Sequence, residues 1–175
     1  MMPMRYSMET ITHYYENGTT IKETYTMDEK GLQGAYEAYY PNGQLKARYN
    51  YTDGKANGLY EEYFDNGQLK TRCTYINGIE DGPAEYRYEN GQIFVKCTYK
   101  DGKHEGLYEE FYEDGQPRSR CTYKDDKVDG PFKRYDKKGR LVKQGIYRDG
   151  AFIDTTTHSR LWATLKRIIT WIKLS

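Results

Sequence analysis

Apolar and polar residues alternate along this chain in short runs, and small turn dipeptides separate the runs. Around Asn66-Gly67, Tyr60, Phe64, Leu69, Cys73 and Tyr75 form one alternate set, and Glu61, Tyr63, Lys70 and Arg72 form the other. A period of two marks a half-buried β-strand, because successive side chains point to opposite faces. Asn-Gly and Asp-Gly between such runs predict hairpins, since a type I′ turn takes positive φ at both central residues. They occur at Asn17-Gly18, Asn42-Gly43, Asn66-Gly67, Asn90-Gly91 and Asp114-Gly115. A second set, Asp53-Gly54, Asn77-Gly78, Asp101-Gly102 and Asp149-Gly150, falls between the first. Hairpin follows hairpin, which predicts an all-β, open antiparallel β-meander.

The hairpins repeat with a period of 24 residues, led by Gly34, Gly58, Gly82, Gly106 and Gly130. A degenerate copy from about Thr10 brings the number to about six, and such a period signifies an array whose units stack on their neighbours. A two-residue loop at Asn66-Gly67 pairs Phe64 with Leu69, Tyr63 with Lys70, Glu61 with Arg72 and Tyr60 with Cys73. The same rule sets Glu37 against Arg48, Glu85 against Lys96 and Glu109 against Arg120, opposite charges each time. It also predicts aromatic–cation pairs Tyr39 with Lys46 and Phe111 with Arg118, inverted as Arg87 with Phe94. One face then carries the columns Tyr36, Tyr60, Tyr108, Phe132; Tyr40, Phe64, Tyr88, Tyr112; Leu45, Leu69, Ile93, Leu141; and Tyr51, Tyr75, Tyr99, Tyr123, Tyr147. Ten to twelve strands stacked in this way span roughly 45–55 Å.

The array fills residues 10–153, after an extension at 1–9, and the pattern changes in 154–175. Leu161, Trp162, Leu165, Ile168, Ile169 and Ile172 recur at i, i+3, i+4 and i+7, which predicts a C-terminal amphipathic helix. Arg160, Lys166, Arg167 and Lys173 make it basic. Three uses are open to it: closing over the tyrosine face or the last hairpin, gripping a partner or a second copy, or lying on an anionic membrane surface. The last two uses would employ Trp162, Leu165, Ile168, Ile169 and Ile172.

A mean hydropathy of -1.03 and 30% charged residues would ordinarily favour disorder. The 20 tyrosines reverse that reading, because each ring covers a half-wet surface while its hydroxyl stays satisfied. The formal charge is +1, but removing the four cations of the tail leaves the body at -3. A mildly acidic body is a poor nucleic-acid binder. Cys73, Cys97 and Cys121 occupy one slot in three successive copies. Equivalent slots lie about 9–10 Å apart, too far for a disulfide, so they read as small buried thiols suited to a reducing compartment. Residues 1–8 hold no apolar run of a leader and no segment is long enough to span a bilayer. A cytoplasmic location is expected unless a leader has been removed.

The glycine-led Tyr-Glu-Glu-Tyr-Tyr, then Asn-Gly-Gln-Leu-Lys, then Tyr-x-Asp-Gly-Lys resembles the MORN repeat in its bacterial variant, over about residues 10–153. The resemblance implies an open sheet serving as an interaction scaffold without catalytic residues. Bacterial proteins with this variant are often classed as antitoxin or immunity proteins, which implies a toxin as partner. The fifth copy departs from the pattern at Asp136, Lys138-Gly139 and Gly145, as a terminal cap would.

Candidate chemistry is sparse. His13, His104 and His158 share no period, and the adjacent glutamates Glu61 and Glu62 point to opposite faces, so they cannot act on one bond. No catalytic residue, metal site or cofactor is expected. The expected function is protein binding through the aromatic columns, at Tyr36, Tyr40, Tyr60, Phe64, Tyr88, Tyr108 and Tyr112, with neutralisation of a toxin as its sharper form. The alternative is a membrane tether docked through the basic helix.

Overall fold

A computed structural model describes residues 7–155. Its strands are β1 (Glu9–Tyr14), β2 (Ile21–Asp28), β3 (Gly31–Tyr39), β4 (Leu45–Thr52), β5 (Lys55–Ala56), β6 (Gly58–Tyr63), β7 (Leu69–Ile76) and β8 (Ile79–Glu80). They continue as β9 (Gly82–Arg87), β10 (Ile93–Lys100), β11 (Lys103–His104), β12 (Gly106–Phe111), β13 (Pro117–Lys124), β14 (Lys127–Tyr135), β15 (Leu141–Arg148) and β16 (Ala151–Asp154). All belong to one 16-stranded sheet. Thirteen follow one another in chain order, and β5, β8 and β11 are two-residue arms on β4, β7 and β10. The antiparallel meander is as expected, with more strands than the ten to twelve read from the sequence. Of the segment 154–175 predicted to form a C-terminal helix, Asp154 instead ends β16, and residues 156–175 lie outside those described.

Two kinds of turn build the meander. The Asp53-Gly54, Asn77-Gly78, Asp101-Gly102 and Asp149-Gly150 turns have positive φ at both residues, as a type I′ hairpin requires. Asp125-Asp126 adopts the same geometry without a glycine, at φ 49° and 62°. The other set differs from expectation. At Asn66-Gly67 only the glycine has positive φ, the Gly67 N–H donates to the Phe64 carbonyl, and the Phe64 N–H donates to Gln68. This is a three-residue loop, a type I turn closed by a glycine bulge, and Pro41 suits the corresponding position in the second copy.

That extra turn residue is absorbed by a bulge. Tyr60 pairs with Cys73, Glu61 with Arg72 and Glu62 with Thr71 as expected, but Tyr63 then faces Leu69 instead of Lys70. The same shift places Tyr39 opposite Leu45, Arg87 opposite Ile93, Phe111 opposite Pro117 and Tyr135 opposite Leu141. Since a one-residue slip changes the face of a strand, the Leu45, Leu69, Ile93, Leu141 column joins the charged face and leaves the aromatic one. The cations shift too. Lys46 lies over Tyr40, Lys70 over Phe64 and Arg118 over Tyr112, at 5.7 to 5.9 Å, where the sequence suggested Tyr39 and Phe111. Phe94, expected opposite Arg87, instead packs at a tilt against Tyr88.

The core is a thin stripe on the tyrosine face. Cys73, Ala84, Val95 and Cys97 are buried beneath Tyr60, Tyr75, Tyr86, Phe94, Tyr99 and Tyr108. Ala84 stands where other copies place a tyrosine, and Tyr86, two residues on, supplies the missing ring. The three cysteines are free and buried, in the equivalent slots that their spacing indicated.

Candidate protein-binding faces

Each copy uses its turn residues to hold the next. The Asn42, Asn66 and Asn90 amides accept the N–H of the glutamine two residues on and donate Nδ2–H to the carbonyls of Asp65, Glu89 and Glu113 in the following copy. The glycine between them leaves room for the preceding copy's glutamine. An added Cβ at Gly91 would collide with Gln68 Oε1, and one at Gly115 would meet Gln92 Oε1 at 2.9 Å. At the opposite edge, the N–H groups of Gly54, Gly78 and Gly102 donate to the carbonyls of Leu32, Ala56 and Glu80. The sheet is thus zipped along both margins, and both faces are presented on a rigid support.

On the aromatic face, the rings mainly meet one another. Tyr25, Tyr36, Tyr49, Tyr60 and Tyr75 form a continuous row with centroids 4.5 to 6.0 Å apart. A second group gathers Tyr99, Tyr108 and Tyr123 around His104. The sequence-predicted residues Tyr36, Tyr40, Tyr60, Phe64, Tyr88, Tyr108 and Tyr112 are all half-buried. The hydroxyls of Tyr40, Tyr88 and Tyr112 donate to the carbonyls of Tyr63, Phe111 and Tyr135, and Tyr36 donates to Glu23. Burial first, then the Glu110 charge, pushes the Tyr108 phenol up to about 12. Tyr88 and Tyr112 also line an edge cleft of about 480 Å³ with Glu113, Asp114 and Lys137. Trp162, Leu165, Ile168, Ile169 and Ile172 lie outside the described residues.

A line of paired charges crosses the opposite face. Register places Glu37, Arg48, Glu61, Arg72, Glu85, Lys96, Glu109 and Arg120 side by side on successive main strands. Glu61 is its tightest point. It is 1% exposed, receives Arg48 Nε at 2.6 Å, Arg72 Nε at 2.9 Å and the Tyr63 hydroxyl at 2.9 Å. Burial would raise its pKa, but the hydrogen bonds from Arg72, Tyr63 and Arg48 outweigh it and hold the carboxyl below its ordinary value. Glu62 serves the other face, bonded to Lys70. His13 and His104 are likewise engaged, with Glu23 and Asp126.

Beside this ladder runs a row that the sequence reading passed over. The residue after each leading glycine is Ala35, Leu59, Pro83, Leu107 or Pro131, apolar in every copy. Pairing puts Leu59 beside Thr74, Pro83 beside Thr98, Leu107 beside Thr122, and Pro131 beside Ile146, which in turn pairs with Ile153. Leu59, Leu107, Ile146 and Ile153 are 39–51% exposed. Apolar side chains in solvent on a rigid sheet are the feature expected of a contact surface.

Residues 32–53, 56–77, 80–101 and 105–125 match the MORN repeat variant family. The central copies are MORN-variant repeats. Each match ends on the first residue of a type I′ turn, at Asp53, Asn77, Asp101 or Asp125, so one MORN repeat contributes one Asn-Gly-type hairpin to the sheet. The first and last copies lie outside the matched stretches. The last copy's departures have visible causes: Asp136 caps its own turn through Lys138 and Arg140, and Gly145 yields its space to Phe152. Among curated proteins, none matches the chain significantly.

Proposed function

We propose that this MORN-variant chain is a non-catalytic scaffold that binds another protein across its charge-ladder face. The supporting observation is the exposed row Leu59, Leu107, Ile146 and Ile153 on a sheet that has no second layer among the described residues. The row crosses nine main strands, a length of about 40 Å, alongside charges already paired within the sheet. Those pairs add little affinity; they confer register and exclude badly matched partners. The double substitution Leu59→Glu, Leu107→Glu tests the reading by co-purification. Both sites are exposed, so the fold should persist while the partner is lost; a partner retained at full yield would contradict the proposal.

A second reading keeps the aromatic positions. The cleft lined by Tyr88 and Tyr112 offers rigid rings beside Glu113, Asp114 and Lys137, and Tyr88→Ala would abolish binding only if that edge is used. Neutralisation of a toxin by occlusion is one form either mode of binding would take, and co-expression with a neighbouring gene product tests it. A membrane tether would act through residues 156–175, outside those described. Liposome flotation with and without that segment distinguishes it from protein binding.

A further inference from the structure

The charge ladder breaks its own rule at one position. Glu37, Glu61, Glu85 and Glu109 recur every 24 residues, and the next equivalent residue is Lys133. Lys133 pairs in register with Arg120, so two cations stand side by side where the three preceding junctions, Arg48–Glu61, Arg72–Glu85 and Lys96–Glu109, set a base against an acid. Like charges directly opposite destabilise a sheet. On its other side Lys133 faces Gln144, not a carboxylate, and among the described residues no acid lies within ion-pair distance of it. Arg120 has one partner, Glu109 Oε1, at 3.4 Å.

These two cations border a cleft of about 350 Å³ whose other walls are Leu107, Cys121, Thr122, Pro131 and Tyr135. The exposed Ile146 and Ile153 continue its apolar wall. The surrounding sheet is basic as well: residues 117–155 hold 11 Lys and Arg against 6 Asp, whereas residues 7–116 hold 11 against 20 acids. At Glu61, the intact ladder shows what such a position accepts: a carboxylate held between two guanidinium groups.

We propose that Arg120 and Lys133 receive a carboxylate from an acidic, apolar segment of a different protein, whose neighbouring aliphatic side chain enters the Leu107–Pro131–Tyr135 cleft. This rests on the scaffold reading and gives it a locus. The chain's own tail is an unsuitable occupant because it carries four cations and no Asp or Glu side chain. The ladder carboxylates of a second copy are also poor donors, since Glu61, Glu85 and Glu109 are each ion-paired within their own sheet.

The test is amide-shift mapping of the full-length, isotope-labelled protein with a capped hexapeptide of alternating Leu and Glu, beside Leu-Gln and Leu-Lys counterparts. The Leu-Glu peptide is expected to shift Arg120, Thr122, Lys133 and Tyr135, and to bind at least about tenfold more tightly than the Leu-Gln peptide. Lys133→Glu restores the repeat's own residue and should abolish binding, and Lys133→Gln should weaken it. Equal binding of the three peptides, shifts confined to the tyrosine face, or unaltered binding by both variants would overturn the proposal. So would concentration-dependent self-association that Lys133→Glu removes, because the occupant would then be a second copy. A partner kept by Lys133→Glu but lost by Leu59→Glu, Leu107→Glu would overturn the cleft while leaving the scaffold reading in place.

Discussion

The phenol of Tyr112 donates a 2.9 Å hydrogen bond to the backbone carbonyl of Tyr135, one repeat further along the chain. Tyr15, Tyr40 and Tyr88 do the same to Tyr39, Tyr63 and Phe111. Phe64 occupies the equivalent position without a hydroxyl. Tyr88→Phe and Tyr112→Phe should therefore each cost about 0.5–1.5 kcal/mol, and Phe64→Tyr should gain about 0.5–1 kcal/mol. Urea midpoints check all three. If the losses appear without the gain, Phe64 is retained for packing under Lys70.

Glu61 links stability to acid. Its folded carboxyl lies below the ordinary value, so the stabilisation is complete above the unfolded pKa and disappears as pH falls through the folded one. That window lies below about pH 4. Glu61→Gln leaves Arg48 and Arg72 without their shared carboxylate, putting one amide oxygen and a donor NH2 in its place, and should cost about 1–3 kcal/mol at neutral pH. The variant should also show a flatter acid limb in a stability–pH curve; an unchanged limb would assign acid sensitivity elsewhere.

Burial pushes the Cys73 thiol up to about 12, and the Cys97 and Cys121 thiols up to about 11. Such thiols carry almost no thiolate near neutrality. A disulfide reagent at pH 8 should label none of them in the folded protein and all three after unfolding, at a rate set by opening of the sheet. The raised values favour the fold below the free thiol's pKa, and this contribution is lost as pH rises through the folded values. Rapid native labelling would contradict the packing at the three slots.

Gly145 replaces the repeat's cysteine because Phe152 folds over it. An added Cβ there would collide with the Ile153 carbonyl oxygen and with the Phe152 ring. Gly145→Ala should cost about 2–4 kcal/mol. Hydrogen exchange should quicken at β16 before the rest of the sheet.

The repeat, the meander, the Glu–Arg register and the cysteine slots are all legible in the sequence, because each is a period-2 or period-24 regularity. The bulge was not legible, since Asn-Gly serves both a type I′ turn and a type I turn with a glycine bulge. That one residue moves Leu69 to the charged face and Lys70 onto Phe64. The Asp125-Asp126 turn lacked its usual glycine, and only its position 24 residues after Asp101-Gly102 marks it. As for the site, the aromatic columns stand out by size, whereas Leu59 and Leu107 occupy a position whose residue type varies from copy to copy. The signal was present: Ala35, Leu59, Pro83, Leu107 and Pro131 are dissimilar in shape and alike in polarity.

Leu107 and Tyr108 are adjacent in β12 and point to opposite faces, so a photo-crosslinking residue placed at one or the other reports directly on which face is used. Binding across the charge ladder predicts efficient capture of the partner from position 107 and little from 108. Capture from 108 with none from 107 would contradict it.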